Sequence, residues 1–425
     1  MKPLDHGDHG TNDEHFHRPK GDDDELNATD KKEEMNREEE ESSEVKVVEY
    51  HETEQAEKKQ QSSSEEEESS VDPCPVETVI QGRWKIVERL GSGGFGAVYR
   101  VESLQDGKEY ALKMEDPKTA KDRLIQLEVN ILKLLMGQPH TIPLISCGYW
   151  DDYDEQPEDP SSSSAKQREE KKSKKCSKRR RDSGPGPAYM VMRLVGPDLG
   201  YLKHATPKNR FSLSTSIRLA LECLRALKEV HSIGYIHRDI KPSNFALGTD
   251  WTAHPRGHIF ILDYGMARRY VDGEGRHRPA RREVGFRGTV RYASLNTLHY
   301  RDMSRRDDLW SLLYCVIEFL KGRLPWRHAD NRRENRALKE ATSPVELMEG
   351  CPPELLSWYL YLNSLGYTDT PDYGQMKSLL QRVLQRKGIL LTDPYDWELQ
   401  LPTAGEVNTT TTTKYHGGYG EAKSV

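Results

Sequence analysis

His237-Arg238-Asp239-Ile240-Lys241-Pro242-Ser243-Asn244, with Asp263-Tyr264-Gly265 downstream, is the stretch from which the rest of the chain is read. Asp239, Lys241 and Asn244 lie close enough in sequence to face one small polar centre. Asp263 adds a carboxylate able to hold a cation, and Gly265 gives the turn that aims it. In-line phosphoryl transfer needs this set: a group that orients a hydroxyl, and charge that neutralises phosphate oxygens. Taken alone, the same residues could be turn caps. The reading depends on whether the chain supplies the missing parts.

Upstream, Trp84 to Leu90 reads as a strand, followed by Gly91-Ser92-Gly93-Gly94-Phe95-Gly96-Ala97-Val98-Tyr99. A dinucleotide-binding fold would open a helix after such glycines. Here Ala97 to Glu102 continues as β-pattern, so a glycine hairpin is expected. Gly91, Gly93 and Gly96 would let backbone amides approach a triphosphate, with Val98 over the adenine. A plain glycine-rich hairpin is the simpler alternative. Against it stands the next strand, Glu109 to Met114. Its Ala111 is small enough to lie against a ring, and its Lys113 is placed for the α- and β-phosphates. Glu128 is the expected partner of Lys113, on a helix from Asp122 to Leu135. Leu124, Leu127, Ile131 and Leu135 predict the buried stripe of that helix, with Glu128 at its border.

The chain has 425 residues and a net charge of −6, with a mean hydropathy of −0.85. Residues 1–75 hold 25 acids against 9 bases, and the remainder 44 acids against 54 bases. An acidic disordered tail over 1–75 is expected, because it holds too little apolar surface to offset ordering entropy. The six cysteines form no CxxC pair, which argues against structural zinc and a disulfide-stapled fold. No run of eighteen apolar residues occurs, so no membrane span is expected.

Residues 151–187 read as a disordered insertion between two strands, starting acidic and carrying eight bases within Lys171 to Arg181. That block is either an import or anionic docking signal or a solubilising run; it lacks the interleaved aromatics of a nucleic-acid surface. Tyr189 to Gly196 resumes as a strand and connector, with Met192 at the back of the adenine pocket. Helices are expected over Ser214 to His231, Trp310 to Leu320, Leu355 to Leu365 and Tyr373 to Arg386. Ile217, Ala220, Leu221, Leu224 and Leu227 form the inner face of the first, and Trp310 to Leu320 should be the lobe's centre. Residues 401–425 read as a second disordered tail.

Over residues 80–400 these motifs resemble those of eukaryotic protein kinases. Gly288-Thr289-Val290-Arg291-Tyr292-Ala293-Ser294-Leu295-Asn296 stands where most kinases carry Ala-Pro-Glu, which is similar to the casein kinase 1 group. Arg306-Asp307-Asp308-Leu309-Trp310-Ser311 and Tyr395-Asp396-Trp397-Glu398 resemble the tau-tubulin kinase branch. The resemblance implies an α+β, two-lobed fold over 76–400. Its β-rich N-lobe with one main helix would span 76–195, and its larger helical C-lobe 196–400.

It also implies ATP as phosphate donor, with Mg²⁺ held by Asn244 and Asp263 and Mn²⁺ able to substitute. Asp239 would be the catalytic carboxylate and Lys241 would hold the γ-phosphate. Leu194, Ala246 and Leu262 would line the nucleotide pocket beside the residues already named. Lys241 and Asn244 in this arrangement imply Ser or Thr as acceptor, Thr289 would secure Asp239 and Lys241, and Asp308 would anchor the loop. Arg291 would form an anion site with Arg327 as helper, favouring acidic or phosphorylated protein substrates, cytoskeletal ones being suggested by the branch. A cytoplasmic monomer is expected, and entry into the nucleus follows only on the import reading of Lys171 to Arg181. Tyr264 departs from the usual Phe. It is the one feature that favours the alternative, a weak kinase-like scaffold working through its tail and insertion.

Overall fold

The computed structural model describes residues 74–93, 96–115, 124–150, 186–249 and 259–400. The disorder expected of the acidic tail, of nearly all the 151–187 insertion and of residues 401–425 concerns stretches outside these.

The upper lobe is built on an antiparallel sheet. Its strands are β1 (Val79–Ile80), β2 (Trp84–Gly93), β3 (Gly96–Ser103), β4 (Glu109–Glu115), β5 (Leu144–Tyr149) and β6 (Ala188–Arg193), in the order β1-β2-β3-β4-β6-β5. β5 and β6 pair directly, so the insertion does leave from between two neighbouring strands. Alternation along each strand sorts the side chains. Ile86, Tyr99, Val101, Leu112 and Val191 are buried in one cluster with Trp84 and Trp150. Val98, Ala111, Met190 and Met192 belong instead to the main core. Cys74 packs into the first cluster as well, two residues before the expected start of order.

Helix α1 (Leu124–Leu134) packs on the sheet. Its stripe differs from the one expected. Ile125, Val129 and Leu132 are buried with Ile131 and Leu135, while Leu124 and Leu127 are only half-buried. Both phasings satisfy a three-and-four spacing, and the sheet selects the one rotated towards Ile125. Glu128 is buried in either case.

The lower lobe begins with β7 (Val195–Asp198), which pairs with β9 (Phe245–Gly248) and not with the upper sheet. A single residue, Leu194, therefore links β6 to β7. Helix α2 (Leu199–Ala205) is capped by Asp198, whose side chain accepts from the Tyr201 N–H at 2.9 Å. α3 (Leu213–Ser232) buries the five inner residues expected of it. β8 (Tyr235–Ile236) pairs with β11 (Arg268–Arg269), and β10 (Ile259–Ile261) with β9.

After the short α4 (Leu295–Leu298), α5 (Arg305–Lys321) is buried at every position from Asp307 to Phe319. A helix buried on every side belongs in the middle of a lobe. At its start the Asp307 side chain accepts from the Ser304 N–H at 2.7 Å, and Gly322, at φ +78°, ends it. α6 (Arg332–Ala341), α7 (Pro344–Met348), α8 (Pro353–Ser364) and α9 (Tyr373–Lys387) complete the lobe. Arg218 of α3 fastens the end of the domain, donating to the carbonyls of Asp393 and Pro394 and lying 4.0 Å from the Tyr395 ring centre. The fold is the α+β, two-lobed one expected. Among the described residues no helix is long and apolar enough to cross a membrane.

Candidate active site

The stretch His237–Asn244 leaves β8 and is bent at once by a carboxylate from α5. Asp308 accepts from the His237 N–H at 2.7 Å and from the Arg238 N–H at 2.8 Å, with the His231 ring 2.8 Å away. Burial works against that charge, but these imidazole and amide contacts override it and hold the Asp308 carboxyl below its usual value. The bend puts Arg238 in the left-handed region, at φ +68°. Its Nε reaches the Met266 carbonyl at 2.6 Å, bracing the segment that follows Asp263.

Asp239 is buried at the centre of the loop. Lys241 Nζ lies 2.9 Å from Asp239 Oδ2, and Thr289 Oγ1 donates to Asp239 Oδ1 at 2.7 Å. Asn244 Nδ2 donates to the Asp239 carbonyl at 2.8 Å, and the Leu262 N–H to the Asn244 carbonyl at 2.8 Å. Leu262 immediately precedes Asp263, so the two candidate cation ligands are tied through adjoining backbone. Thr289 meets Asp239 as expected; no bond joins it to Lys241 among the described residues.

Lys113, Glu128 and Asp263 meet across the lobes. Lys113 Nζ is 2.5 Å from Glu128 Oε1 and 3.0 Å from Asp263 Oδ1. Burial works against the lysine's charge, but the two carboxylates override it and raise its pKa above the usual value. Burial likewise pushes Asp263 up, and the Lys113 ammonium brings it down to about 2. Asp263 has φ +61°, strain of the kind that surrounding structure must hold in place. Gly265 lets the backbone approach: a Cβ there would lie 3.3 Å from both Asp263 Oδ1 and Glu128 Oε1. Glu128 is 2% exposed and Asp263 36%, so a cation can reach Asp263 and not Glu128. That carboxylate and the Asn244 side-chain oxygen are hard ligands of the type magnesium takes, so the donor set fits.

Strand register gathers the expected nucleotide pocket. Val98 pairs with Lys113, and Ala111 with Met192, putting these side chains on one face of the sheet. Gly91 pairs with Val98, and Gly93 with Gly96, where the hairpin closes. Leu194 sits at the link, and Ala246 and Leu262 are buried below it. Tyr264, in place of Phe, is buried with its ring 5.5 Å from that of His237, and its hydroxyl faces the Ile261 carbonyl at 3.4 Å. The substitution is accommodated without opening the site.

Arg291 is 40% exposed and 3.9 Å from Glu318 Oε1. Arg327 Nε donates instead to the His328 ring at 2.6 Å. Two features of the site have no signal in the sequence. Asp302 receives both Arg268 and Arg281, each at 2.8 to 3.2 Å, and so joins two distant points of the segment 263–294. His140 links the lobes, its ring 2.6 Å from Glu229 and 3.1 Å from Glu222 on α3.

The protein kinase domain family model matches residues 84–387. The chain is 34% identical over 323 residues to a Dictyostelium discoideum protein named "probable serine/threonine-protein kinase", covering 76% of this chain and 58% of that protein's length. A Caenorhabditis elegans protein named "putative serine/threonine-protein kinase" is 32% identical over 330 residues, 76% of this chain and 84% of that one. Another from the same organism, spe-6, is 29% identical over 323 residues, 74% of this chain and 76% of that one.

Proposed function

We propose that the chain, which belongs to the protein kinase family, is a serine/threonine protein kinase that uses ATP and Mg²⁺. The observation that carries this is Lys113 held between Glu128 and Asp263 at 2.5 and 3.0 Å. A charged amine so placed from the sheet meets the α- and β-phosphates of ATP. Asp263 and Asn244 would hold the Mg²⁺, with Mn²⁺ able to substitute; the cation neutralises phosphate charge. Asp239 orients the substrate hydroxyl and takes its proton late, while Lys241, 2.9 Å from it, is placed for the γ-phosphate.

The sequence Gly288 to Asn296 supports a place in the casein kinase 1 group, and the Arg306–Ser311 and Tyr395–Glu398 stretches support the tau-tubulin kinase branch. For substrates we favour acidic or phosphorylated proteins. Arg269, Arg281, Arg282 and Arg287 are exposed on one basic segment, a surface that draws anions. Arg291 stands on the same segment with its side chain partly open. Matched peptides with and without a phosphoserine upstream of the acceptor test this. A lower KM for the phosphorylated peptide, lost in Arg291→Ala, is expected; equal KM values for both peptides in both proteins overturn the preference.

A further inference from the structure

Lys339 lies on the buried side of α6, 5% exposed in all. Among the described residues it forms no ion pair with a carboxylate, and burial pushes its pKa well below the usual value. Its Nζ donates to the Val290 carbonyl at 3.2 Å and to the Ala293 carbonyl at 2.6 Å. It also lies 4.8 Å from the ring centres of Tyr314 and Trp326. An amine taken out of water is costly unless its N–H groups are used, and here they are used on backbone. A neutral amine still has two N–H bonds to give, so both contacts survive deprotonation.

Those carbonyls flank Arg291. The carbonyl of Arg291 itself accepts from Trp326 Nε1 at 2.8 Å. Lys339 and Trp326 thus hold the backbone of 290–293 from beneath, through three carbonyls. One end of the stretch is Thr289, bonded to Asp239. The other is Ser294, which caps α4 and donates to Asp307 at 2.6 Å. A hydroxyl presented to Asp239 must come from a chain running past this edge.

From this we infer that Lys339 is a positioning residue for the protein substrate, fixing the backbone that carries Arg291 without touching the nucleotide. The inference rests on the kinase reading above. Thr289 keeps its own side-chain bond to Asp239, so the support bears first on the backbone that carries Arg291 and reaches the carboxylate only through the Thr289 carbonyl, which accepts from Tyr292 and Ala293.

The test is steady-state kinetics of the full chain with an acidic peptide and ATP, for wild type, Lys339→Met and Trp326→Phe. Met removes the donor at similar volume. Phe keeps an aromatic ring and removes the N–H to Arg291 together with part of the buried indole, so the melting temperature of each variant is measured beside its kinetics and two independent variants guard against one that does not fold. We expect the KM for peptide to rise about tenfold in either variant, with kcat and the KM for ATP within about twofold. A fall in kcat at unchanged peptide KM in both variants would mean general destabilisation and overturn the inference. So would wild-type peptide KM in both. No transfer by wild type would overturn the kinase reading itself, which separates the two failures.

Discussion

Thr289 Oγ1 donates to Asp239 Oδ1 at 2.7 Å, so the carboxylate proposed to orient the substrate hydroxyl is held by the segment that also carries Arg291. Asp239 is also held from its own loop by Lys241 and Asn244. A carboxylate fixed from both sides keeps one rotamer, which is what orientation of a hydroxyl requires.

Gly288, next to Thr289, has φ +98°, and a Cβ on it would collide with the Arg238 carbonyl. Gly288→Ala should therefore force the segment away from the catalytic loop. A cost of more than about 2 kcal/mol is expected, from the clash and from the positive φ. Phosphate transfer should fall at least about tenfold, with the KM for ATP little changed.

Asp302 clamps Arg268 and Arg281 from a buried position. Burial raises its carboxyl pKa, and the bonds from Arg281 with the charge of Arg268 override this, holding it down to about 2. A lowered carboxyl stabilises the fold above the ordinary carboxylate range, and that contribution is lost as pH falls through about 2. Asp302→Asn at neutral pH should cost about 2 kcal/mol, since it leaves two arginines without their counter-charge. Limited proteolysis should then cut within 268–281, where the wild type resists.

His140 gives the opposite sign. Burial disfavours its charge, but the bonds to Glu222 and Glu229 override it and raise the imidazole pKa above 6.5. Arg225 also contacts Glu222, at 2.5 Å, so the cluster stays anionic overall when His140 is neutral. Stability from a raised imidazole is fully present below its unfolded value and lost as pH rises through the folded one. The melting temperature of the wild type should exceed that of His140→Gln at pH 6, with the gap narrowing towards pH 9. A gap that widens with pH would show that the imidazole acts as a neutral group.

How much of this was legible depended on how far apart the partners lie in sequence. Asp239, Lys241 and Asn244 share one loop, and the glycine hairpin and Lys113 share adjoining strands, so spacing alone could place them. Glu128 was reachable because one helix face had to carry it, although the stripe around it was phased towards Leu124 instead of Ile125. Asp302 meets Arg268 across 34 residues, Lys339 meets Ala293 across 46, and His140 meets Glu229 across 89. Nothing in the composition near those residues signals their partners, because packing of α3, α5 and α6 brings them together. Arg327, expected as a helper of Arg291, gives its Nε to the neighbouring His328 ring.

The central claim is that Asp239 serves phosphate transfer to a hydroxyl, and one measurement tests it most directly. Purified wild type and Asp239→Asn are each incubated with γ-labelled ATP, Mg²⁺ and casein, and the labelled amino acids are identified. The replacement keeps the side chain's size, so the fold should persist, as melting temperature can verify. The account predicts label on serine and threonine with wild type and a loss of at least about a thousandfold with Asp239→Asn. Equal labelling by the two proteins, label on tyrosine alone, or none with wild type would contradict it.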